Sequence, residues 1–270
     1  MIPLEDGFQD VIGKAARGLG LADEVLARAA GVTPDEVRRA KRGEFDERVI
    51  RRLAPVLHLG GDALVALGRG EYRPREVGEI PGFLAFHTLW SDMTVNAYLA
   101  WDPKSREAAA FDTGGECDGM VAAIRDRELR LRSIFLTHTH GDHVAALGRL
   151  AQATGAAVYA SDREPIAGAE PFPAGKEFSV GALSIRTLLT SGHSPGGITY
   201  LVSGGPRLLA IVGDSLFAGS MGGGNVSYAD ALRNNREKIL TLPAGTVICP
   251  GHGPLTTVGE EREHNPFFVS

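Results

Sequence analysis

Thr137-His138-Thr139-His140-Gly141-Asp142-His143 decides how this chain folds and what it holds. It follows a β-rich run, Leu131-Arg132-Ser133-Ile134-Phe135-Leu136, and precedes apolar positions at helical spacing, Val144, Leu147, Leu150 and Ala151. The stretch is therefore expected to cap a strand just before a helix begins. Residues two apart on an extended segment point to the same side, so His138 and His140 can converge on one ion. The turn at Gly141 lets Asp142 and His143 face a second. Imidazole nitrogen and carboxylate oxygen suit zinc, iron or manganese better than calcium or magnesium. A polar turn with solvated histidines is the plain alternative, but four potential ligands within positions 138–143 are far denser than background.

Further along the chain, ligand-type residues recur in one context. His193 lies in Thr190-Ser191-Gly192-His193-Ser194-Pro195-Gly196, Asp214 in Gly213-Asp214-Ser215-Leu216-Phe217, and His252 in Pro250-Gly251-His252-Gly253. Each sits on a glycine-flanked loop just past a strand-like run, where glycine lets the backbone crowd an ion without a clashing Cβ. One such aspartate is usually a turn residue. An ordered series at one rim of a sheet is how sites are built. Strands are expected over 83–90, 94–101, 107–111, 156–159, 177–180, 183–189, 198–202 and 208–212, with a helix over 118–127 after Asp112-Thr113-Gly114-Gly115. The result is a mixed α/β unit with sheet at its centre.

Residues 1–76 carry no such cluster and read as helical, with apolar spacings of three and four at Val25, Leu26 and Ala29 and at Ile50, Leu53 and Leu57. A linker-like stretch, Gly68-Arg69-Gly70-Glu71-Tyr72-Arg73-Pro74-Arg75, separates them from a second unit over 77–270. In Gly31-Val32-Thr33-Pro34-Asp35-Glu36, glycine ends one helix, Thr33 caps the next and Glu36 can close a capping box. This resembles the helix-turn-helix domain of phage-repressor-type regulators, which would place Arg38, Arg39 and Lys41 in a DNA groove. The segment is close to neutral, however, which favours a bundle packed on its neighbour or on a second copy in a homodimer.

The whole chain, 270 residues with a formal net charge of -5, lacks the cationic excess of a nucleic-acid binder. Its two cysteines, Cys117 and Cys249, suggest no disulfide framework. The opening Met1-Ile2-Pro3-Leu4-Glu5-Asp6 lacks the pattern of a secretory signal, and no apolar run reaches the roughly 20 residues that span a bilayer. A soluble cytoplasmic protein is expected.

The ordered series Asp112, His138 to His143, His193, Asp214 and His252 resembles the metallo-β-lactamase superfamily over residues 80–260. That resemblance implies an αβ/βα sandwich with a dinuclear metal site along one edge. It implies one ion held by His138, His140 and His193, another by Asp142, His143 and His252, and Asp214 bridging both. It implies Asp112 supporting the site from behind. Zinc is the first expectation for the two divalent ions, with iron or manganese as alternatives.

Gly213-Asp214-Ser215-Leu216-Phe217-Ala218-Gly219-Ser220 and the tail from Pro250 through Glu260, Asn265, Pro266 and Phe267 are similar to the glyoxalase II branch, which hydrolyses acylglutathione thioesters. Two features depart from it. Met221-Gly222-Gly223-Gly224 stands where that branch has an arginine, and the C-terminal helical domain that grips glutathione is missing after Asn265. The resemblance implies a small-molecule thioester substrate, with Asp142 orienting the nucleophile and taking up its proton. The alternatives are a mononuclear-iron persulfide dioxygenase using His138, His193 and Asp214, and a metal- or metabolite-responsive DNA-binding regulator. Of the other histidines, His58 and His264 read as structural or surface. His87 lies in a hairpin, 86–93, where the family carries a flap over the metals. Cys249 reads as a buried strand residue.

Overall fold

Strands apolar on both faces must be covered from both sides, and two sheets of such strands form the centre of the protein. The computed structural model describes residues 2–269, so Met1 and Ser270, the outer ends of the two expected units, lie outside the described residues, to which every count below refers. Five helices come first: α1 (Phe8–Gly18), α2 (Asp23–Ala30), α3 (Pro34–Lys41), α4 (Glu47–Val56) and α5 (Gly61–Gly68). An irregular segment leads to β1 (Phe83–Trp90), β2 (Met93–Trp101), β3 (Glu107–Phe111), α6 (Asp118–Asp126) and β4 (Arg130–Phe135). After it come α7 (Gly141–Val144), α8 (Leu147–Thr154), β5 (Ala157–Ser161) and β6 (Glu170–Phe172), completing one six-stranded sheet in sequence order.

The second six-stranded sheet comprises β7 (Glu177–Val180), β8 (Leu183–Leu189), β9 (Ile198–Ser203), β10 (Leu209–Gly213), β11 (Val247–Pro250) and β12 (Thr256–Thr257). Between β10 and β11 the chain forms α9 (Tyr228–Asn234), extended by a π-helical turn at Asn235–Ile239, and α10 (Val258–His264) follows β12. Both sheets are mixed: β3, β4, β5 and β6 run parallel, as do β10 and β11, while the other neighbours are antiparallel. This is the expected αβ/βα sandwich.

Side chains of period two sort the layers. On β10, Leu209 and Ile211 face the first sheet, where Phe111 and Phe135 stack about Tyr200 at centroid distances of 5.4 and 5.3 Å. Ala210 and Val212 face the other way, into a cluster with Val11, Ile12, Ile50, Leu53 and Leu64 of the N-terminal helices. Those helices thus share a continuous core with the outer face of the second sheet, while α6 and α8 cover the first through Met120, Ile124 and Leu150. Each such fully buried aliphatic or aromatic side chain contributes about 1.5–3 kcal/mol by leaving water.

The α2–α3 turn forms as read: Gly31 sits at φ 64, Thr33 Oγ1 accepts from the Glu36 amide at 3.2 Å and Glu36 accepts from the Thr33 amide at 2.7 Å. The single helix expected after the histidine stretch is broken instead. In a continuous helix the His143 carbonyl would accept from the Leu147 amide. Here it accepts from the Thr113 amide at 2.9 Å and the Thr113 hydroxyl at 3.0 Å, so α7 stops after one turn and α8 starts afresh. The short β6, α9 and β12 carry no clear periodicity in the sequence.

Candidate metal centre

The parallel pairs β3/β4 and β10/β11 end at the same rim, and the candidate ligands sit there. Asp112 follows β3, His138 to His143 follow β4, Asp214 follows β10 and His252 follows β11, while His193 lies on the loop from β8 to β9. A hydrogen bond from the Ile198 amide to the Thr137 carbonyl, 2.8 Å, ties the two sheets together at this point. All seven sequence-selected side chains meet. Three groups have their donor atoms within 4.8 Å of one another: His138, His140 and His193; His138, His143 and Asp214; and Asp142, His143 and His252.

Two of these groups match the halves that the resemblance implies, Asp214 touches both, and the third group, His138, His143 and Asp214, lies between them. In the first, His140 Nδ1 is 3.0 Å from His138 Nε2 and 3.0 Å from His193 Nε2. In the second, His252 Nε2 is 3.2 Å and His143 Nε2 3.5 Å from Asp142 Oδ2. Asp214 Oδ1 lies 3.3 Å from His143 Nε2, and Oδ2 lies 3.4 Å from His193 Nε2 and 3.5 Å from His252 Nε2. Ligands about 2.0–2.2 Å from a tetrahedral ion stand roughly 3.3–3.6 Å apart, so these edges have the size of an ion's coordination shell.

Second partners aim the rings. His143 Nδ1 faces Asp112 Oδ2 at 2.8 Å, His193 Nδ1 the Gly223 carbonyl at 3.0 Å, His252 Nδ1 the Thr94 carbonyl at 2.7 Å, and His138 Nδ1 the Thr137 hydroxyl at 3.1 Å. A ring whose Nδ1–H is donated outward presents the lone pair of Nε2 inward. Lone pairs and carboxylates crowded into one space repel unless a cation lies among them. Consistent with that, His143 Nε2 and Asp214 Oδ1 are buried without completing a hydrogen bond. The donor set fits divalent ions that accept nitrogen and oxygen.

Asp112 is held in the left-handed region, φ 55, and its carboxylate also accepts from the Thr137 amide at 2.8 Å and hydroxyl at 2.7 Å. Gly251 shows why a glycine precedes His252: a Cβ there would come 2.1 Å from Asp214 Oδ1 and 2.6 Å from His143 Cε1.

Protonation follows the same geometry. Burial works to lower the His143 imidazole, but the carboxylates of Asp112 and Asp214 overcome it and lift the group to about 10. Burial likewise opposes protonation of His252, yet hydrogen bonding to Asp142 and Asp214 raises it to about 11. His138 and His193 are pushed down, by burial first and then by the neighbouring imidazoles against the pull of Asp214. Burial would raise Asp142, but His252 and His143 hold it at about 2. Protons on His143 and His252 thus stand in for a cation among the carboxylates, and an ion binding there would displace them from Nε2.

The remaining histidines lie elsewhere. His87 is an exposed β1 residue bonded through Nδ1 to Asn96 Oδ1 at 2.6 Å. His264 packs at a tilt on Tyr72 at 5.4 Å, and His58 is an exposed residue just past α4 at φ 54, so both lie at the surface. Cys249 is buried on β11, where burial pushes its thiol up. Sequence reasoning missed three residues beside the cluster. Glu164 hydrogen-bonds both first-half loops, Asn96 ties β2 to the Pro250 and Gly253 carbonyls, and half-buried Glu5 lies against Gly253. None belongs to a local motif, so only distant packing identifies them.

Comparison with known proteins agrees with this fold. A family model described as the metallo-beta-lactamase superfamily matches residues 90–252. The probable metallo-hydrolase YqgX of Bacillus subtilis is 34% identical over 184 residues, 58% of this chain and 85% of that protein. Hydroxyacylglutathione hydrolase GloC of Haemophilus influenzae is 29% identical over 200 residues, 65% of this chain and 93% of that protein. Among solved structures, TTHA1623 in a di-iron-bound form is similar with a TM-score of 0.58 and 28% identity, covering 67% of this chain and 99% of that one.

Proposed function

The chain belongs to the metallo-beta-lactamase superfamily, and from that premise we propose that it is a dinuclear metallohydrolase cleaving a small acyl thioester of the acylglutathione kind. The observation that carries this reading is the pair of donor trios that meet at Asp214. His138, His140 and His193 would hold one divalent ion, Asp142, His143 and His252 the other, and the two oxygens of Asp214 would reach both. Two bound ions supply a hydroxide nucleophile at neutral pH and charge stabilisation for a developing oxyanion. Zinc is the first candidate. The di-iron form of a relative 28% identical supports two-ion occupancy and keeps iron, with manganese, as an alternative.

The chain's own residues do the rest. Asp142 turns Oδ2 toward His143 and His252, which leaves Oδ1 to orient the nucleophile and take up its proton. Its carboxyl is ionised at neutral pH and so can accept a hydrogen bond from the nucleophile. Leu89, Trp90 and Met93 are exposed at the β1–β2 hairpin, and Trp90 reaches Gly141, so the hairpin offers apolar surface to the acyl group beside the cluster. A thiolate leaves with little acid assistance because a thiol's pKa is only about 8.5, so the thioester class asks for no leaving-group acid. The similarity to a hydroxyacylglutathione hydrolase supports the thioester class.

Metal-loaded protein should hydrolyse lactoylglutathione or a simple acyl thioester, with a loss of at least about 100-fold on His138→Ala, on the scale that removing one electrostatic stabiliser produces. Metal-replete protein inert across a thioester panel would overturn the proposal. About one iron per chain with oxygen uptake on glutathione persulfide would instead support a dioxygenase that uses His138, His193 and Asp214. On α3, Arg38 and Arg39 pair with Asp35 and Lys41 with Asp23, which favours a packing role for the helical segment over DNA contact.

A further inference from the structure

Four of the five clustered histidines have their outer nitrogen fixed, three by a carboxylate or main-chain carbonyl and one by a hydroxyl. His140 is the exception. Its ring is exposed, it turns Nδ1 inward, and its Nε2 has no hydrogen bond among the described residues. Something other than an outer ring partner must set its direction. Thr139, between two inward-pointing histidines on an extended segment, points away from the cluster. There it meets Glu164, on the turn after β5. Glu164 Oε1 accepts from the Thr139 amide and the Thr139 hydroxyl, each at 2.9 Å. The other oxygen, Oε2, accepts from the Gly196 amide at 3.0 Å, on the loop that carries His193. The approach is close enough that a Cβ on Gly196 would stand 2.5 Å from Glu164 Cβ.

We infer that Glu164 is the positioning residue of the His138, His140 and His193 trio, joining the strand end of one sheet to the loop of the other so that His140 and His193 meet. The inference rests on the metal-centre reading above. Glu164 touches neither ion nor substrate; it acts through the main chain at Thr139 and Gly196. It takes over for His140 the task that Asp112 performs for His143. Both Glu164 and Thr139 are only half-buried, so water can reach the freed amides and the fold survives loss of the carboxylate.

The test is zinc titration of full-length protein against a chromogenic chelator, with the visible spectrum of the cobalt-substituted protein as a second readout. Wild type should show two separable affinities. Glu164→Ala should weaken the first-trio position by about 10–100-fold, the usual effect of losing an outer support. The position held by Asp142, His143 and His252 should change by less than about threefold, and the cobalt spectrum of the first position should lose intensity. Glu164→Gln keeps an acceptor for Thr139 but turns an amide donor toward Gly196, so it should fall between wild type and alanine. Equal weakening of both positions, or a lower melting temperature with both affinities and the spectrum intact, would overturn the inference. Wild type that binds no pair of ions would overturn the metal-centre reading and this inference together.

Discussion

Replacing Asp112 by asparagine tests how the second half of the cluster is built. The backbone there is left-handed, φ 55, a region asparagine tolerates as well as aspartate, so the substitution adds little strain. Asn Oδ1 can keep the 2.8 Å bond from the Thr137 amide, which places the new NH2 where Oδ2 now accepts from His143 Nδ1 at 2.8 Å. Two donors then face each other. His143 must then give up its Nδ1 proton and keep the one on Nε2, the atom aimed at Asp142 and Asp214, so an ion can bind only by displacing that remaining proton with no acceptor left at Nδ1 to hold another. A hydrogen bond to a charged group contributes about 1.5–3 kcal/mol, and 1.4 kcal/mol is about tenfold, so affinity at the His143 position should fall by about 10–100-fold.

The first trio should be spared. Thr137 Oγ1 can accept from the new amide while still facing His138 Nδ1 at 3.1 Å. Zinc titration against a chelator measures both positions, and His252→Ala, which removes a ligand from the second half alone, identifies the affinity of the spared one. Unchanged affinity at both positions, or equal loss at both, would refute the tautomer argument.

Other perturbations have equally definite outcomes. Because His143 and His252 are held protonated to about 10 and about 11, filling the second position at pH 7.5 should release protons, about two when both are displaced, and apparent affinity should rise with pH; calorimetry in buffers of different ionisation enthalpy measures the number. Gly251→Ala should leave the sandwich folded by circular dichroism but cost most metal uptake, because its Cβ would occupy space 2.1 Å from Asp214 Oδ1. Burial raises the Glu261 carboxyl to about 7 even though Asn265, Thr256, Gly219 and Tyr72 all hydrogen-bond to it. The folded state therefore holds this proton more tightly than the unfolded chain, and stability should fall by about 3 kcal/mol as pH rises from 4.5 to 7. Glu261→Gln should flatten that slope in urea unfolding; an identical slope in both proteins would rule it out.

The chain by itself determined the parts that depend on neighbours in sequence. Seven donor side chains, the strand ends that carry them and the left-handed Gly31 before the Thr33 cap are all visible as spacings within a few residues. Each such feature reflects local backbone geometry or side-chain period. Tertiary structure decided what depends on distance through space. Which nitrogen of each imidazole faces inward follows from Asp112, Thr94, Gly223 and Thr137, residues up to 158 positions away in sequence for the Thr94–His252 bond. The break between α7 and α8 came from Thr113 taking the His143 carbonyl, and the clamp at Glu164 from the meeting of two sheets. A donor's chemical type is written in one residue; its direction is set by whichever partner the packed sheets bring to its far side.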